Sequence, residues 1–254
     1  MDLYKPEKVY DELITKAGRS RKGATRLVRW LKREDPESIG KYSKMASLAV
    51  REMGISYAIY SDGENIDRQW PFDLIPRIIS AKEWGYLCSG LCLSPDHEFR
   101  FMLVNQLQQD MTSSNFLEVA AALGATIRLA TTDMIPPLLA HVVKLLQHDR
   151  ELVRKKTVMV LHRFHRLDAS AVSHLGPQMR RTLCDKDPSV MAASLCLLHA
   201  QITEKPLGFK ELVPSFVSIL KQIVEHRLPR DFDYHRMPAP WAQLRLLRIL
   251  ALLG

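Results

Sequence analysis

Cysteine is scarce, with four residues in 254: Cys88, Cys92, Cys184 and Cys196. So few thiols in a chain of this length make no disulfide framework, and a reducing, cytosolic setting is expected. None of the four forms a CxxC pair, so the expectation is buried thiols in helices. Aromatic residues are sparse at 7%. No stretch approaches the ~18 uninterrupted apolar residues that a membrane span needs. The opening Met1-Asp2-Leu3-Tyr4-Lys5-Pro6 has no apolar core segment, so no signal peptide is expected. Catalytic signatures are missing too: there is no GxSxG, no Walker loop and no Gly-rich phosphate cradle. Asp62-Gly63 lacks the later alternating carboxylates of a calcium loop. His148, His162 and His165 have no paired Cys or carboxylate motif, so no metal site is expected and no cofactor is implied. These absences point away from an enzyme.

What is present describes a folded chain. Hydrophobic residues make up 46% and charged residues 25%, which excludes a disordered sequence. Lys and Arg number 36 against 28 Asp and Glu, a formal charge of +8. That balance permits an acidic partner, whether a membrane surface, a nucleic acid or a protein. The excess is spread out: residues 1–84 hold 16 basic and 13 acidic side chains, residues 85–254 hold 20 and 15. Such spreading argues against a nucleic-acid patch. Trp30 among Arg26, Arg29, Lys32 and Arg33 is the one candidate stacking platform, and it reads better as an amphipathic helix with one anchoring aromatic.

The two parts have different grammar. Residues 1–84 read as a small α+β segment. Basic amphipathic stretches at Pro6–Ala17 and Lys22–Lys32 precede a helix over Pro36–Met53, with Asp35 as its cap and Pro at the first position. Gly54 stops that helix. Ile55 to Tyr60 is a β-branched and aromatic run, Ser61-Asp62-Gly63 is a turn signal, and a second strand over about Asn65–Phe72 would close a hairpin of open register. Pro71 and Pro76 bracket a strand edge or connector at Phe72–Ile75.

From residue 85 the period becomes helical. Glu98–Met111, Phe116–Ala130, Ile135–Gln147, Glu151–Leu167, Ala171–Leu183, Ser189–Ile202, Lys210–Glu225 and Ala239–Leu253 each read as a helix. Leu146–Leu161 aligns on Leu183–Leu198 at an offset of 37, and Leu107, Leu123 and Leu129 stand opposite Leu145, Leu161 and Leu167 at 38. Two helices per unit of about 40 residues is the mark of a HEAT or armadillo solenoid. The expected fold is therefore mainly α: a solenoid of about four helix pairs after a small α+β segment. Apolar residues on more than one face of Leu246–Leu253 suggest a further repeat beyond it.

Specific residues in 85–254 resemble the trunk of a large adaptin, the long chain of a coat adaptor complex. They are Gly85-Tyr86-Leu87, Leu93 to Asn105, Asn115-Phe116-Leu117 with Ala121-Ala122-Leu123, Val153 to Phe164, and Leu212 to Leu247. Leu183-Cys184-Asp185 and Tyr234-His235-Arg236-Met237-Pro238-Ala239-Pro240 look most like the epsilon-type chain of the fourth adaptor complex. The resemblance implies a non-enzymatic trunk scaffold in vesicle-mediated intracellular transport. It also implies other adaptor subunits as partners, the small chain above all, no nucleic acid, and a place on the cytosolic face of trans-Golgi or endosomal membranes. The opening part instead resembles the start of bacterial circularly permuted ATP-grasp proteins, through Tyr10-Asp11-Glu12, Gly54-Ile55, Tyr57, Tyr60, Pro71 to Ile79 and Glu83-Trp84. Leu87 and Gly90-Leu91 fit both patterns, so a join falls within 85–91 and the whole reads as a chimera. Asp11, Glu12 and Asp73 could belong to an ATP-grasp surface, but the nucleotide and metal parts of that family would lie downstream, where this chain is adaptin-like. The rival to a coat subunit is thus a fragment of an ATP-grasp ligase or its accessory protein.

For partner or membrane contact the candidates are cationic. Arg150, Arg154, Lys155 and Lys156 cluster at the start of a repeat helix, and Arg227, Arg230 and Arg236 lie in a long Pro-containing loop. Guanidinium and ammonium groups pair with phosphate oxygens. The plainer reading is the solvated charge of an ordinary repeat, with Val153, Val158 and Leu161 packing and Arg154 and Lys155 exposed.

Overall fold

A computed structural model describes residues 11–15, 17–61, 64–69, 73–76 and 78–254. The chain divides into two compact units, Met1–Ser80 and Ala81–Gly254.

In the first unit the expected helix over Pro6–Ala17 is absent from its described part. Residues 11–15 form a turn instead, because the Asp11 carboxylate accepts the backbone N–H groups of Leu13 and Ile14 at 2.7 and 2.8 Å. Ile14 then bridges Ser20, with Gly18 at φ 76° supplying the left-handed residue that closes the loop. Helix α1 spans Thr25–Arg33 and α2 spans Pro36–Glu52. Asp35 caps α2 as expected, accepting from Ser38 N–H at 2.8 Å. Strands β1 (Ser56–Ser61) and β2 (Glu64–Gln69) pair antiparallel, Ser56 with Gln69 through Ser61 with Glu64. The register left open by the sequence is thus that of a two-residue connection; its residues Asp62 and Gly63 lie outside those described, as do Trp70 to Phe72. A small cluster of Ile14, Ala24 and Val28, flanked by Leu13 and Ile78, forms a core here.

The second unit is helical throughout: α3 (Ala81–Cys92), α4 (Phe99–Met102), α5 (Val104–Met111), α6 (Phe116–Leu129), α7 (Ile135–Lys144), α8 (Glu151–Leu167), α9 (Ala169–Val172), α10 (Gly176–Leu183), α11 (Pro188–Glu204), α12 (Val213–Val224) and α13 (Pro240–Leu253). One row runs α3 on α6, α6 on α8, α8 on α11, α11 on α13. The second row leans on it, with α5 against α6 and α7, α7 against α8, α10 against α11, and α12 against α13. This is a two-layer stack of helix pairs, and one continuous apolar cluster runs through it from Tyr86 to Leu253. Helices α6, α8 and α11 begin 35 and 37 residues apart. Val153 and Val190, and Leu161 and Leu198, occupy matching buried positions. Buried hydroxyls repeat as well: Thr126, Thr157 and Ser194 each donate to the carbonyl four residues back, at 2.9, 2.8 and 3.0 Å.

Departures from expectation have local causes. Helix α3 is not among the expected helices; Trp84, Leu87 and Leu91 are exposed along it, so its apolar residues form no single buried stripe. The segment expected as one helix from Glu98 breaks between α4 and α5, where Arg100 turns inward to donate to the carbonyls of Leu93 (2.6 Å) and Leu129 (3.3 Å). Pro177 and Pro214 stand at the starts of α10 and α12 and divide two more segments expected to be single helices, because proline lacks the N–H that would continue a preceding turn. The thiols are not buried: Cys92 and Cys184 are exposed, Cys88 and Cys196 half-buried.

Candidate partner-binding surface

The cationic candidates at the start of α8 separate into different environments. Arg154 is buried, at 6% exposure, which corrects the expectation that it faces solvent. Its Nε and Nη2 donate to Asp185 Oδ2 and Oδ1 at 2.8 and 2.9 Å, and Nη1 donates to the carbonyls of His148 and Asp149 at 2.9 and 3.0 Å. The guanidinium fork thereby ties α8 to the loop before α11, one repeat onward. The hydrogen bond with Asp185 raises the Arg154 pKa. Burial pushes the Asp185 carboxyl up, but the Arg154 bond, the Asp187 N–H and nearby positive charge outweigh it and leave it below the ordinary value. Helical spacing puts Arg154 with Val158 and Leu161 on the face that α8 buries, but nothing local announces its partner Asp185.

Lys156 is half-buried beside Gly124 of α6, where a side chain in place of the glycine hydrogen would come within 3.0 Å of Nζ. Burial, then Arg128 and Lys155, lower its pKa. Arg150 and Lys155 are exposed, and the Arg150 guanidinium lies 5.0 Å from the centroid of the Phe116 ring.

The loop after α12 holds the other three. Arg227 pairs with Glu225 at 2.7 Å. Arg230 opens a short 3-10 turn ending at Phe232, and Arg236 sits at φ 65° with His235 at 48°. Tyr234 and Met237 exchange backbone hydrogen bonds of 2.9 and 3.0 Å around that pair. Two central residues with positive φ make a tight reverse turn that normally takes Asn-Gly. Here it carries two bulky side chains, a local strain held by the bridge and by Tyr234, whose ring stands 6.1 Å from Trp241.

A second polar node, missed in the sequence, lies at the start of the unit. Asp110 accepts from Lys82 (2.7 Å), Tyr86 (2.7 Å) and Gln106 (2.9 Å). Burial raises its pKa, yet these three donors outweigh it and hold the carboxyl below its usual range. Tyr86 is pushed up, first by its own burial and then by Asp110. Nothing in local spacing announces this node, because its donors come from two helices. Among the described residues no group of three or more His, Cys, Asp or Glu could hold a metal ion, and no helix is long and apolar enough to cross a membrane. What the arrangement offers chemically is cationic and aromatic contact on a rigid helical frame.

Residues 77–254 match the family described as the adaptin N terminal region. The chain belongs to the adaptin family. It is similar to the AP-4 complex subunit epsilon of Arabidopsis thaliana, with 53% identity over 173 residues, 68% of this chain and 18% of that one. It is 44% identical over 173 residues to the human AP-4 complex subunit epsilon-1, covering 68% of this chain and 15% of that adaptin. Among solved structures, a homology model of the full-length AP-3 complex in an intermediate open conformation matches 68% of this chain and 28% of that one. The TM-score is 0.54 at 21% identity, a likeness of fold. A Synechocystis protein named only as uncharacterized, sll0335, shares 35% identity over 91 residues, 36% of this chain and 19% of its own. This adaptin therefore spans a fifth or less of the AP-4 relatives it matches. The likeness of the opening segment to ATP-grasp proteins gains no support from these matches.

Proposed function

We propose that residues 85–254 act as a trunk piece of an epsilon-type large adaptin, a non-enzymatic scaffold in vesicle-mediated intracellular protein transport. The observation that carries this reading is 53% identity to a protein named as an AP-4 epsilon subunit over 173 residues. The partners are the other subunits of an adaptor complex, the small chain first. Through the complex the chain works at the cytosolic face of trans-Golgi or endosomal membranes. The stacked helix pairs support this reading physically, since a solenoid offers a long continuous surface to other subunits. Exposed Arg150, Lys155, Arg230 and Arg236 are the contact candidates, whereas Arg154 belongs to the frame. The opening segment, up to Ser80 where the first compact unit ends, is a separate module similar to the opening of circularly permuted ATP-grasp proteins. The hairpin and small core, unlike anything described in the helical unit, favour a separate module.

The test is co-expression of the full chain with the small chain of the fourth adaptor complex, followed by size-exclusion chromatography. Co-elution in one peak is expected, and a persistent monomer beside free small chain would overturn the subunit reading. Isothermal calorimetry with Mg-ATP should register no tight binding. Tight binding abolished by substitutions within 54–84 would favour the ATP-grasp alternative.

A further inference from the structure

His162 on α8 and His199 on α11 are 37 residues apart, the interval that separates the starts of the two helices. They therefore occupy the same position in successive units, and both are half-buried. Equivalent positions of stacked units line up along the stack. A third helix continues the line. On α13, Trp241, Arg245 and Arg248 recur at four- and three-residue intervals on the flank beside the buried stripe of Ala242, Leu246 and Ile249.

Besides burial, the side chains that depress these histidines are cationic or other histidines. His162 is held below its ordinary pKa by burial first, then by Arg166, His165, Arg245 and His199. His199 is held down by burial, then by Arg245 and Arg248. Between α8 and α6 the charge is also positive, where Arg128 and Lys155 act on Lys156. Carboxylates are few on the three helices: Glu151 lies at the far end of α8, Glu204 closes α11 with an oxygen 3.3 Å from His165, and α13 has none. The result is a pair of imidazoles held toward the neutral form among arginines on three packed helices, with Trp241 one turn before Arg245 on α13, 72% exposed and beside the strained turn at Tyr234.

We infer that the ridge of His162, Arg166, His199, Arg245 and Arg248, with Trp241 at its end, docks an acidic segment of a partner protein. Its histidines take up protons as the carboxylates arrive. A peptide fits better than a bilayer, because the two histidines are half-buried, and a flexible chain reaches half-buried groups more readily than a flat surface does. It fits better than a nucleic acid, because one aromatic cannot stack a run of bases. Arginine beside an exposed aromatic is also the composition that carries binding energy at protein interfaces. The inference stands on the ridge itself and survives or fails apart from the coat-subunit reading.

The test is fluorescence anisotropy of a labelled oligoglutamate peptide bearing one leucine, titrated with the full chain at low and high salt. Lowering the pH from about 8 to about 6 should tighten binding roughly tenfold as the two histidines charge. Arg248→Gln, at an exposed position that leaves the core intact, should weaken binding several-fold, and His199→Gln should flatten the pH dependence. Lys144→Gln, at an exposed position on α7 in the other helix row, should leave both unchanged. Binding that is indifferent to pH, or equal losses in Arg248→Gln and Lys144→Gln, would overturn the proposal. So would phosphoinositide vesicles or duplex DNA binding through Arg248 while the peptide does not.

Discussion

Helices α2 and α8 are both 17 residues long, yet α2 buries one side chain, Val50, and α8 buries eight. Helix α2 has the better local signals: an Asp35 cap, a first-position proline and Gly54 after its end. Helix α8 begins without a side-chain cap. The contrast teaches that capping decides where a helix starts, while tertiary burial decides how much stability it carries. Burial in α8 is possible because α6 lies on one side and α11 on the other. The two units differ in the same sense, a cluster of three buried residues against one that runs through every helix pair.

The comparison breaks most severely at the buried charge of the helical unit. Asp185→Ala leaves the Arg154 guanidinium buried and unpaired, and should cost about 3–5 kcal/mol in urea unfolding of the helical unit. A loss near that of an exposed ion pair, roughly 0–1 kcal/mol, would mean the guanidinium escapes to water. Next comes the apolar frame itself. Leu161→Ala, at 0% exposure, should cost about 2–5 kcal/mol, the range for emptying a packed site. Val50→Ala in α2 should cost about 1 kcal/mol, and only in the transition of the first unit. Equal costs would erase the distinction between a helix held by its neighbours and one held by its caps.

Acid gives the gentlest probe. His162 and His199 titrate lower in the folded chain than in the unfolded one, so below about pH 6.5 the unfolded state binds more protons. Stability of the helical unit should therefore be full above that pH and decline as pH falls through it, with the midpoint of urea unfolding as the measure. A further decline belongs to Asp110 and Asp185, whose lowered pKa values contribute stability that is lost as pH falls below the ordinary carboxylate range. The first step should shrink in His199→Gln, and an unchanged profile would remove the histidine contribution.

Much of this architecture was written in local pattern. The boundaries of α8 follow from its apolar period alone, and the 37-residue interval from matching leucines at Leu161 and Leu198. The cap at Asp35 was equally visible, since it depends on residues within reach of one another along the chain. What the pattern concealed were partners far apart in sequence. Arg154 looked solvated because Asp185 is 31 residues away; Asp110 looked ordinary because Lys82 is 28 residues away. The turn at His235-Arg236 carries no glycine to announce its positive φ.

The amino-acid sequence by itself determined the periodicity, and with it a helical stack whose helices bury one face each, because side-chain direction repeats with the helix turn whatever lies nearby. Only the tertiary structure decided which charges are frame and which are surface. Arg154 and Lys155 are neighbours of the same charge, and one is clamped by a carboxylate from the next unit while the other meets water. Desolvation is a property of what surrounds a group, and packing of the next unit supplies those surroundings.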